Sequence, residues 1–168
     1  DPFALFPKAP FLTGEPLPIN SLVWMGDLPY MKEQVREKLE AGFTCLKLKV
    51  GALDFEEELG LLGEIRREFD ADTLEIRIDA NGAFPAGQAL ERLKRLSEYR
   101  LHSIEQPIAA GQEQEMAALC ATTPLPIALD EELIGVFPPE AKSRLLRAIR
   151  PQYIILKPSL SGGISGSQ

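Results

Sequence analysis

The chain has 168 residues, 26% of them charged, and a formal net charge of −7, which is typical of an ordinary globular domain. The acidic balance without a basic patch argues against nucleic-acid binding. No apolar run approaches the roughly 18 residues that would span a membrane. Cys45 and Cys120 lie beside apolar residues without a CxxC pair, so we expect free thiols. Together these features predict a cytoplasmic protein with neither nucleic-acid nor membrane partners.

Both ends of the sequence resemble connections to other parts of a protein. Residues 1–20 are irregular and rich in proline, and the final segment SGGISGSQ directly follows a strand pattern. We interpret residues 1–20 as a connection that enters a domain from elsewhere, so the chain is expected to be a piece of a longer protein.

Hydrophobic periodicity predicts strands and helices in strict alternation. The strands are predicted at residues 21–26, 45–50, 74–79, 101–105, 126–130 and 153–157. The helices are predicted at residues 30–41, from Asp54 to about residue 69, and at 85–99, 112–121 and 138–149. Asp54 followed by Glu57 predicts a capping box at the second helix, and Pro85 suits the first turn of the third. Such alternation favours parallel strands joined by right-handed crossovers.

An open doubly wound sheet and a closed barrel both satisfy this alternation. No glycine-rich phosphate loop follows the first strand, although dinucleotide-binding sheets carry one there. Charged residues recur on five strands, as expected for a ring of strand ends that converge on one centre. We therefore predict an α/β fold that is a (β/α) TIM-type barrel portion of about six βα units, without the last units of the usual eight.

The charged residues have a nearly regular spacing of about one βα unit. Lys49, Asp79, Glu105, Asp130 and Lys157 follow one another at intervals of 30, 26, 25 and 27 residues. Side chains alternate along a strand. If the apolar face of each strand packs under the helices, all of these charged side chains point into the barrel interior. Burying such charges without partners costs several kcal/mol each. A shared metal ion and mutual pairing offset that cost.

Three carboxylates among these residues predict a divalent-metal site with Asp79, Glu105 and Asp130 as ligands. We expect Mg²⁺ because every candidate donor is an oxygen atom, with Mn²⁺ as a substitute. Three polar residues next to the ligands either support them through hydrogen bonds or are solvated loop residues: Asn81, Gln106 and Glu131. The sole histidine, His102, precedes the site on its strand and is predicted to be structural. Trp24 and Phe84 are expected to be core or rim aromatics.

The lysines predict proton-transfer chemistry beside the metal. Lys47 and Lys49 share one face of the KLKV strand, and a neighbouring like charge lowers the pKa of a lysine. Catalytic lysines are tuned to roughly 7–8 in this way. Lys157 approaches from a different strand. Bases on two sides of a bound carboxylate predict removal of the proton from its α-carbon, with the metal stabilising the enediolate.

The segments KLK, DAN, EQP, DE and KP on successive strands resemble the enolase superfamily, in its muconate-lactonising-enzyme-like subgroup. IDANGAF, IEQPI, LDEELIG and ILKPSLSGG are most similar to the o-succinylbenzoate synthase family of lyases in menaquinone biosynthesis. The resemblance implies that Lys49 removes the α-proton and returns a proton to the departing hydroxide. It implies that Lys157 stabilises the enediolate as a cation and that Lys47 assists the substrate carboxylate. The implied reaction converts 2-succinyl-6-hydroxy-2,4-cyclohexadiene-1-carboxylate into o-succinylbenzoate.

Two other functions are compatible with the same residues. A dipeptide epimerase or another acid racemase of the superfamily would use the same two flanking lysines on a small carboxylate substrate. A metal-binding barrel fragment without catalysis would use only the carboxylates. The resemblance implies that residues 1–20 are a linker from a missing N-terminal capping domain and that residues 21–168 are a partial (β/α) barrel catalytic domain. In this superfamily the capping domain and the last loops carry much of the substrate specificity, and neither appears in this sequence. The open ends of a six-stranded sheet also leave homo-oligomer formation open.

Overall fold

The computed structural model describes residues 13–167, so residues 1–12 of the predicted linker lie outside the described residues. Strands and helices alternate along the chain: β1 (Ser21–Val23), α1 (Leu28–Glu40), β2 (Cys45–Lys49), α2 (Phe55–Glu68), β3 (Glu75–Asp79), α3 (Ala86–Ser97), β4 (Ser103–Glu105), α4 (Glu113–Thr122), β5 (Ile127–Leu129), α5 (Pro139–Ile149), β6 (Tyr153–Ile154) and α6 (Gly163–Ser167). Within residues 13–167, no helix combines the length and the apolar character needed to cross a membrane.

The six strands form one parallel sheet in which each strand pairs with the next along the chain. A doubly wound sheet reverses its strand order at a switch point, whereas this order runs from β1 to β6 without reversal. The predicted α/β barrel portion is therefore confirmed in its strand order and strand direction. β6 is shorter than predicted and ends at Ile154, before Lys157.

The end of the chain departs from the prediction, which placed no element after the last strand. A 3₁₀ turn, Pro158–Leu160, and the short helix α6 follow β6. Their sequence is rich in glycine and serine, which have weak helix propensity, so the local pattern carries no helical signal. Lys142 of α5 donates hydrogen bonds to the Ser161 and Gly166 carbonyl oxygens, which supplies the missing stabilisation from a distant element.

The two faces of the sheet differ in chemistry because of the alternation along each strand. Leu46, Leu48, Ile76, Ile78 and Ile104 are buried in the single hydrophobic core, where they pack with the apolar sides of the helices. The intervening side chains of β2 and β3 are lysines and an arginine. The helix-covered face therefore supplies the hydrophobic stabilisation, and the opposite face is left for charged groups.

The loop between β2 and α2 is held by carboxylates. The Asp54 side chain caps α2 by accepting the Glu56 N–H at 2.9 Å. The carboxylate that reaches back belongs to Glu58, which accepts the N–H groups of Gly51 at 2.6 Å and Leu53 at 3.2 Å. The predicted start of α2 is confirmed. The predicted capping box with Glu57 is wrong, because the N–H groups of the Gly51 turn point to Glu58, one residue further along the helix.

The opposite end of the sheet is held by one arginine on α2. The Arg66 guanidinium donates to the carbonyl oxygens of Tyr99 at 2.7 Å, Leu74 at 2.8 Å and Arg100 at 3.2 Å. Leu74 and Arg100 belong to the loops that lead into β3 and β4. A single side chain therefore satisfies carbonyl groups from two loops at the N-terminal ends of the strands.

Both cysteines are free thiols, as predicted. Burial raises the pKa of the Cys45 thiol to about 11, and the hydrogen bond to Glu75 acts in the same direction. Burial also raises the pKa of Cys120 to about 11. Neither thiol has the lowered pKa of a reactive cysteine.

Candidate active site

The predicted site residues lie at the C-terminal ends of consecutive strands. Lys49 and Asp79 are the last residues of β2 and β3, and they are register partners. Asp79 is in turn the register partner of Glu105, the last residue of β4. Asp130 follows β5 directly. The side chains of Asp79, Glu105 and Asp130 are nearly inaccessible to solvent, so the parallel register alone brings these charges to one edge of the sheet.

Lysines from neighbouring strands pair with the buried carboxylates. Lys49 Nζ lies 2.6 Å from Asp79 Oδ2. Lys47 Nζ donates to Glu105 Oε2 and lies 3.3 Å from Asp79 Oδ2. These four side chains form one connected cluster, in which two ammonium groups compensate two carboxylates that are withdrawn from water.

Lys157 and Asp130 form a second group. Lys157 lies beyond the end of β6, yet its ammonium group donates to Asp130 Oδ2. In the described part of the chain, no ion pair joins this group to the first. The two groups are connected through Asn81, which accepts from Lys49 Nζ at 2.7 Å and donates to Glu131 Oε1 at 2.9 Å. All six predicted residues are therefore near one end of the sheet, in two adjacent groups.

In the first group, burial and ion pairing shift the pKa values of Glu105, Asp79 and Lys47 in opposite directions. Burial raises the pKa of Glu105 to about 7, although the hydrogen bond from Lys47 opposes this shift. Burial also acts upward on Asp79, but the hydrogen bond from Lys49 and the charge of Lys47 together hold its pKa below the ordinary value. Burial alone would lower the pKa of Lys47, but Glu105 and Asp79 raise it.

Lys157 follows the same balance as Lys47. Burial would lower the pKa of Lys157, and its hydrogen bond to Asp130 together with the charge of that carboxylate raises it. A raised pKa keeps this side chain protonated at neutral pH, which suits a cation that stabilises negative charge. In the carboxylate environment of this structure, neither Lys47 nor Lys157 has the lowered pKa that characterises a neutral lysine base.

The candidate metal ligands carry the type of donor atom that a hard divalent cation prefers. Asp79, Glu105 and Asp130 supply only oxygen atoms, which Mg²⁺ prefers. Two further oxygen atoms, Asp130 Oδ1 and Glu131 Oε2, are buried without a hydrogen-bond partner. Buried acceptors of this kind are rare unless an ion or water satisfies them. Among residues 13–167, however, no three acidic, cysteine or histidine side chains are grouped closely enough to hold a metal ion, because lysines pair with the carboxylates instead.

The aromatic and histidine side chains occupy three different surroundings. Trp24 is 56% exposed, and its ring lies 5.8 Å from Lys49 Nζ, so it is a rim residue of the site. Phe84 is buried in the core. His102 stacks on Tyr153 with ring centroids 4.8 Å apart, and its Nδ1 lies 2.9 Å from Ser103 Oγ. These contacts agree with the structural role predicted for His102.

Glu132 is a buried site residue that the sequence analysis missed. It contacts Gln106 and Gly111 through hydrogen bonds at the end of β4. The only local signal was its position as the third acidic residue in DEE after β5. An acidic run at a strand end is usually exposed to solvent, so this pattern alone did not distinguish Glu132 from a solvated neighbour.

Comparison with known proteins gives the same architecture. A family model described as "Enolase C-terminal domain-like" matches residues 30–168. The o-succinylbenzoate synthase of Desulfotalea psychrophila is 60% identical over 154 residues, which is 91% of this chain and 42% of that protein. The crystal structure of MenC from the same organism superposes with a TM-score of 0.80 at 59% identity, covering 88% of this chain and 40% of that one.

A third similarity is to a solved structure with a metal ion. The o-succinylbenzoate synthase from Thermosynechococcus elongatus, with magnesium in its active site, superposes with a TM-score of 0.77 at 26% identity, over 91% of this chain and 47% of that one. The chain therefore spans less than half the length of these relatives. The family match covers most of the chain and agrees with the parallel order of its strands, so the chain belongs to the enolase C-terminal domain-like family.

Proposed function

We propose that this chain supplies the lysines and carboxylates of a Mg²⁺-dependent o-succinylbenzoate synthase, a carbon–oxygen lyase. The observation that carries the proposal is the 60% identity to the Desulfotalea psychrophila synthase across 91% of the chain. The pairing of the buried carboxylates with lysines from neighbouring strands supports it. The substrate is a small carboxylate, 2-succinyl-6-hydroxy-2,4-cyclohexadiene-1-carboxylate, and the product is o-succinylbenzoate.

Asp79, Glu105 and Asp130 hold the Mg²⁺ ion in this proposal. When bound, the ion supplies Lewis-acid stabilisation of negative charge on the substrate carboxylate. The partnerless oxygen Asp130 Oδ1 and the uniform oxygen chemistry of the three side chains support this assignment. Since each carboxylate is paired with a lysine in this structure, loading the ion requires the ammonium groups to withdraw from the carboxylates.

The lysines carry the proton transfers. Lys49, released from Asp79, removes the proton on the carbon next to the substrate carboxylate. The same ammonium group then delivers a proton to the departing hydroxide, so that one side chain serves both steps on one face of the ring. Lys157 remains a cation across the substrate, in keeping with its raised pKa. Lys47 lies beside the substrate carboxylate and contributes positive charge.

An epimerase is the second candidate because its chemistry needs the same arrangement. Lys49 ends β2 and Lys157 lies beyond the end of β6, and two lysines on opposite sides of an α-carbon would deliver protons to either face. The loops and domain that would select the substrate lie outside this chain in its longer relatives. The assay, rather than the site, therefore has to distinguish dehydration from epimerisation.

The test is turnover of the cyclohexadiene substrate by the full-length protein that contains this chain, followed by loss of substrate absorbance. We expect rapid turnover with Mg²⁺ and none after EDTA treatment. If the substrate persists, exchange of the α-proton of dipeptides and N-acylamino acids in deuterated water is measured next. Exchange without dehydration would replace the synthase with an epimerase, and Mg²⁺ binding without either activity would leave a non-catalytic metal-binding domain.

A further inference from the structure

Gln106 marks the point where the chain leaves the sheet. Its N–H donates to the Ala128 carbonyl oxygen at 2.9 Å, which is the last bond of the β4–β5 ladder. Its φ is 38°, in the left-handed region that residues other than glycine rarely adopt. The backbone after Gln106 therefore turns away from β5, and the backbone groups at the end of β5 lose the partners that a continued β4 would offer.

The Gln106 side chain replaces those partners. Its Oε1 accepts the N–H of Asp130 at 3.2 Å and the N–H of Glu132 at 3.3 Å. Its Nε2 donates to the Ile108 carbonyl oxygen at 2.9 Å and to Glu132 Oε2 at 3.1 Å. The residue is fully buried, and these four bonds use both acceptor sites and both donors of the amide. No other orientation of the amide would satisfy the same groups.

Glu132 extends this network to the loop before α4. Its second oxygen, Oε1, accepts the Gly111 N–H at 2.9 Å. The carboxylate is buried, and within residues 13–167 it has no ion-pair partner, so neutral N–H donors hold it. One side chain therefore ties the loop after β4 to the 3₁₀ turn Glu131–Leu133, which follows β5. We call Gln106 and Glu132 together the amide–carboxylate latch.

We propose that the amide–carboxylate latch positions Asp130 and Glu105 for the cation, which makes Gln106 and Glu132 positioning residues of the site. Gln106 directly follows Glu105 and holds the backbone of Asp130, so it fixes the separation between two ligands from different strands. This inference rests on the proposed Mg²⁺ function. Hydrogen-bond partners behind metal ligands typically change affinity by roughly 10–100-fold when they are replaced.

The experiment exchanges the two latch groups in the full-length protein. Gln106→Glu places a second carboxylate against Glu132, and Glu132→Gln places a second amide against Gln106. The double variant restores the hydrogen bond between positions 106 and 132 with the amide and the carboxylate exchanged, but it leaves the Ile108 carbonyl oxygen without its donor. Gln114→Glu, an exposed residue of α4, is the matched control for the same chemical change. The readouts are the Mg²⁺ dissociation constant by calorimetry and hydrogen exchange of the metal-free protein over residues 106–112 and 130–133.

We expect each single variant to raise the Mg²⁺ dissociation constant by roughly 10–100-fold and to accelerate exchange in both segments. The double variant should recover only the part of both losses that belongs to the 106–132 hydrogen bond, whereas Gln114→Glu should match the wild type. If Gln106→Glu does not fold, Glu132→Gln alone tests the same pairing. Wild-type Mg²⁺ affinity and wild-type hydrogen exchange in the single variants overturn the latch. Intact Mg²⁺ binding without turnover in the wild type overturns only the synthase reaction.

Discussion

At the scale of single residues, each of the three proposed metal ligands has a lysine as its counterion. Removing one partner of a buried pair typically costs about 3–5 kcal/mol because the other charge is left uncompensated. Asp79 should lose less stability than this when one lysine is removed, because it has two lysine partners. Lys47 Nζ lies 3.3 Å and Lys49 Nζ 2.6 Å from its Oδ2. Lys49 is therefore the lysine whose removal best separates catalysis from folding.

Lys49→Met in the full-length protein should lower turnover by at least about 10²-fold, the contribution typical of a positioned base. Mg²⁺ affinity should not fall, because all three carboxylate ligands remain in place. Steady-state kinetics and calorimetry check the two halves of this prediction. Lys32→Met, which removes an exposed lysine paired with Glu64, is the control. Wild-type turnover in the Lys49 variant would exclude this side chain as the base.

Asp130→Ala should weaken Mg²⁺ binding more than the roughly 10–100-fold that a supporting hydrogen-bond partner costs, because a direct ligand is lost. Calorimetric titration of the full-length protein measures the change. Asp72→Ala, at an exposed carboxylate paired with Arg100, should leave the affinity unchanged. Equal affinities in the two variants would remove Asp130 from the ligand set.

At the scale of secondary-structure elements, the loops at the two ends of the sheet are held by different chemistry. Carboxylates and an amide bind the loops at the C-terminal ends of the strands, as at Glu58 and Gln106. The Arg66 guanidinium binds the loops at the N-terminal ends. In barrels of this kind the C-terminal face carries the chemistry and the N-terminal face carries stability.

Glu58 makes the stability of the protein depend on pH. Burial raises its pKa above the ordinary 4.5, although the N–H groups of Gly51 and Leu53 oppose the shift. The folded state therefore binds this proton more tightly than the unfolded state, and the contribution to stability declines as pH rises through the folded pKa. Relative to Glu58→Gln, the wild type should lose unfolding free energy as the pH rises above the ordinary pKa of 4.5.

Urea unfolding of the full-length protein at several pH values measures this difference. Glu57→Gln makes the same change at the exposed neighbouring residue and serves as the control for global charge effects. A wild-type protein that gains stability over the Glu58 variant as pH rises would contradict the direction of the pKa shift.

Arg66→Met should lower the free energy of unfolding by about 2–3 kcal/mol. Several carbonyl groups at the entrances of β3 and β4 would lose a charged donor, and an unsatisfied buried group costs about 1–3 kcal/mol. Arg67→Met, at the exposed position beside it on α2, should cost less than about 0.5 kcal/mol. Denaturant unfolding of both variants checks the contrast, and equal losses would show that the loops do not depend on Arg66.

The parallel strand order and the placement of the charges could be predicted because they depend on local alternation. Two-residue periodicity in CLKLK was sufficient to place Lys47 and Lys49 on one face. Gln106 was only named as a neighbour of a ligand, because its amide becomes important through a left-handed backbone and contacts with a loop 26 residues away. The pairing of each carboxylate with a lysine likewise depends on distances that the sequence does not contain.

At the scale of the whole molecule, the sheet has two open sides in the described part of the chain. β1 pairs only with β2, and β6 pairs only with β5. Large apolar side chains are exposed beside β6: Ile154, Leu156, Leu160 and Ile164. Unpaired strand edges and exposed apolar surface both favour association with other chains.

A chain of these 168 residues produced alone should therefore self-associate. Light scattering after size-exclusion chromatography is expected to give a mass above that of the monomer, increasing with concentration. The full-length protein is the control and should not share this dependence. A single monomer peak with a cooperative thermal transition would contradict the prediction.

The similar step between charges paired across adjacent βα units also bears on the order in which the site can be neutralised during synthesis. Lys49 and Asp79 are 30 residues apart, and Asp130 and Lys157 are 27 residues apart. The entropy of closing a loop depends on its length, so each βα unit joins its predecessor at nearly the same cost. A ribosome that has just completed Asp130 has not yet made its counterion. The charge of Asp130 can therefore be buried against its counterion only after the segment that contains Lys157 has been synthesised.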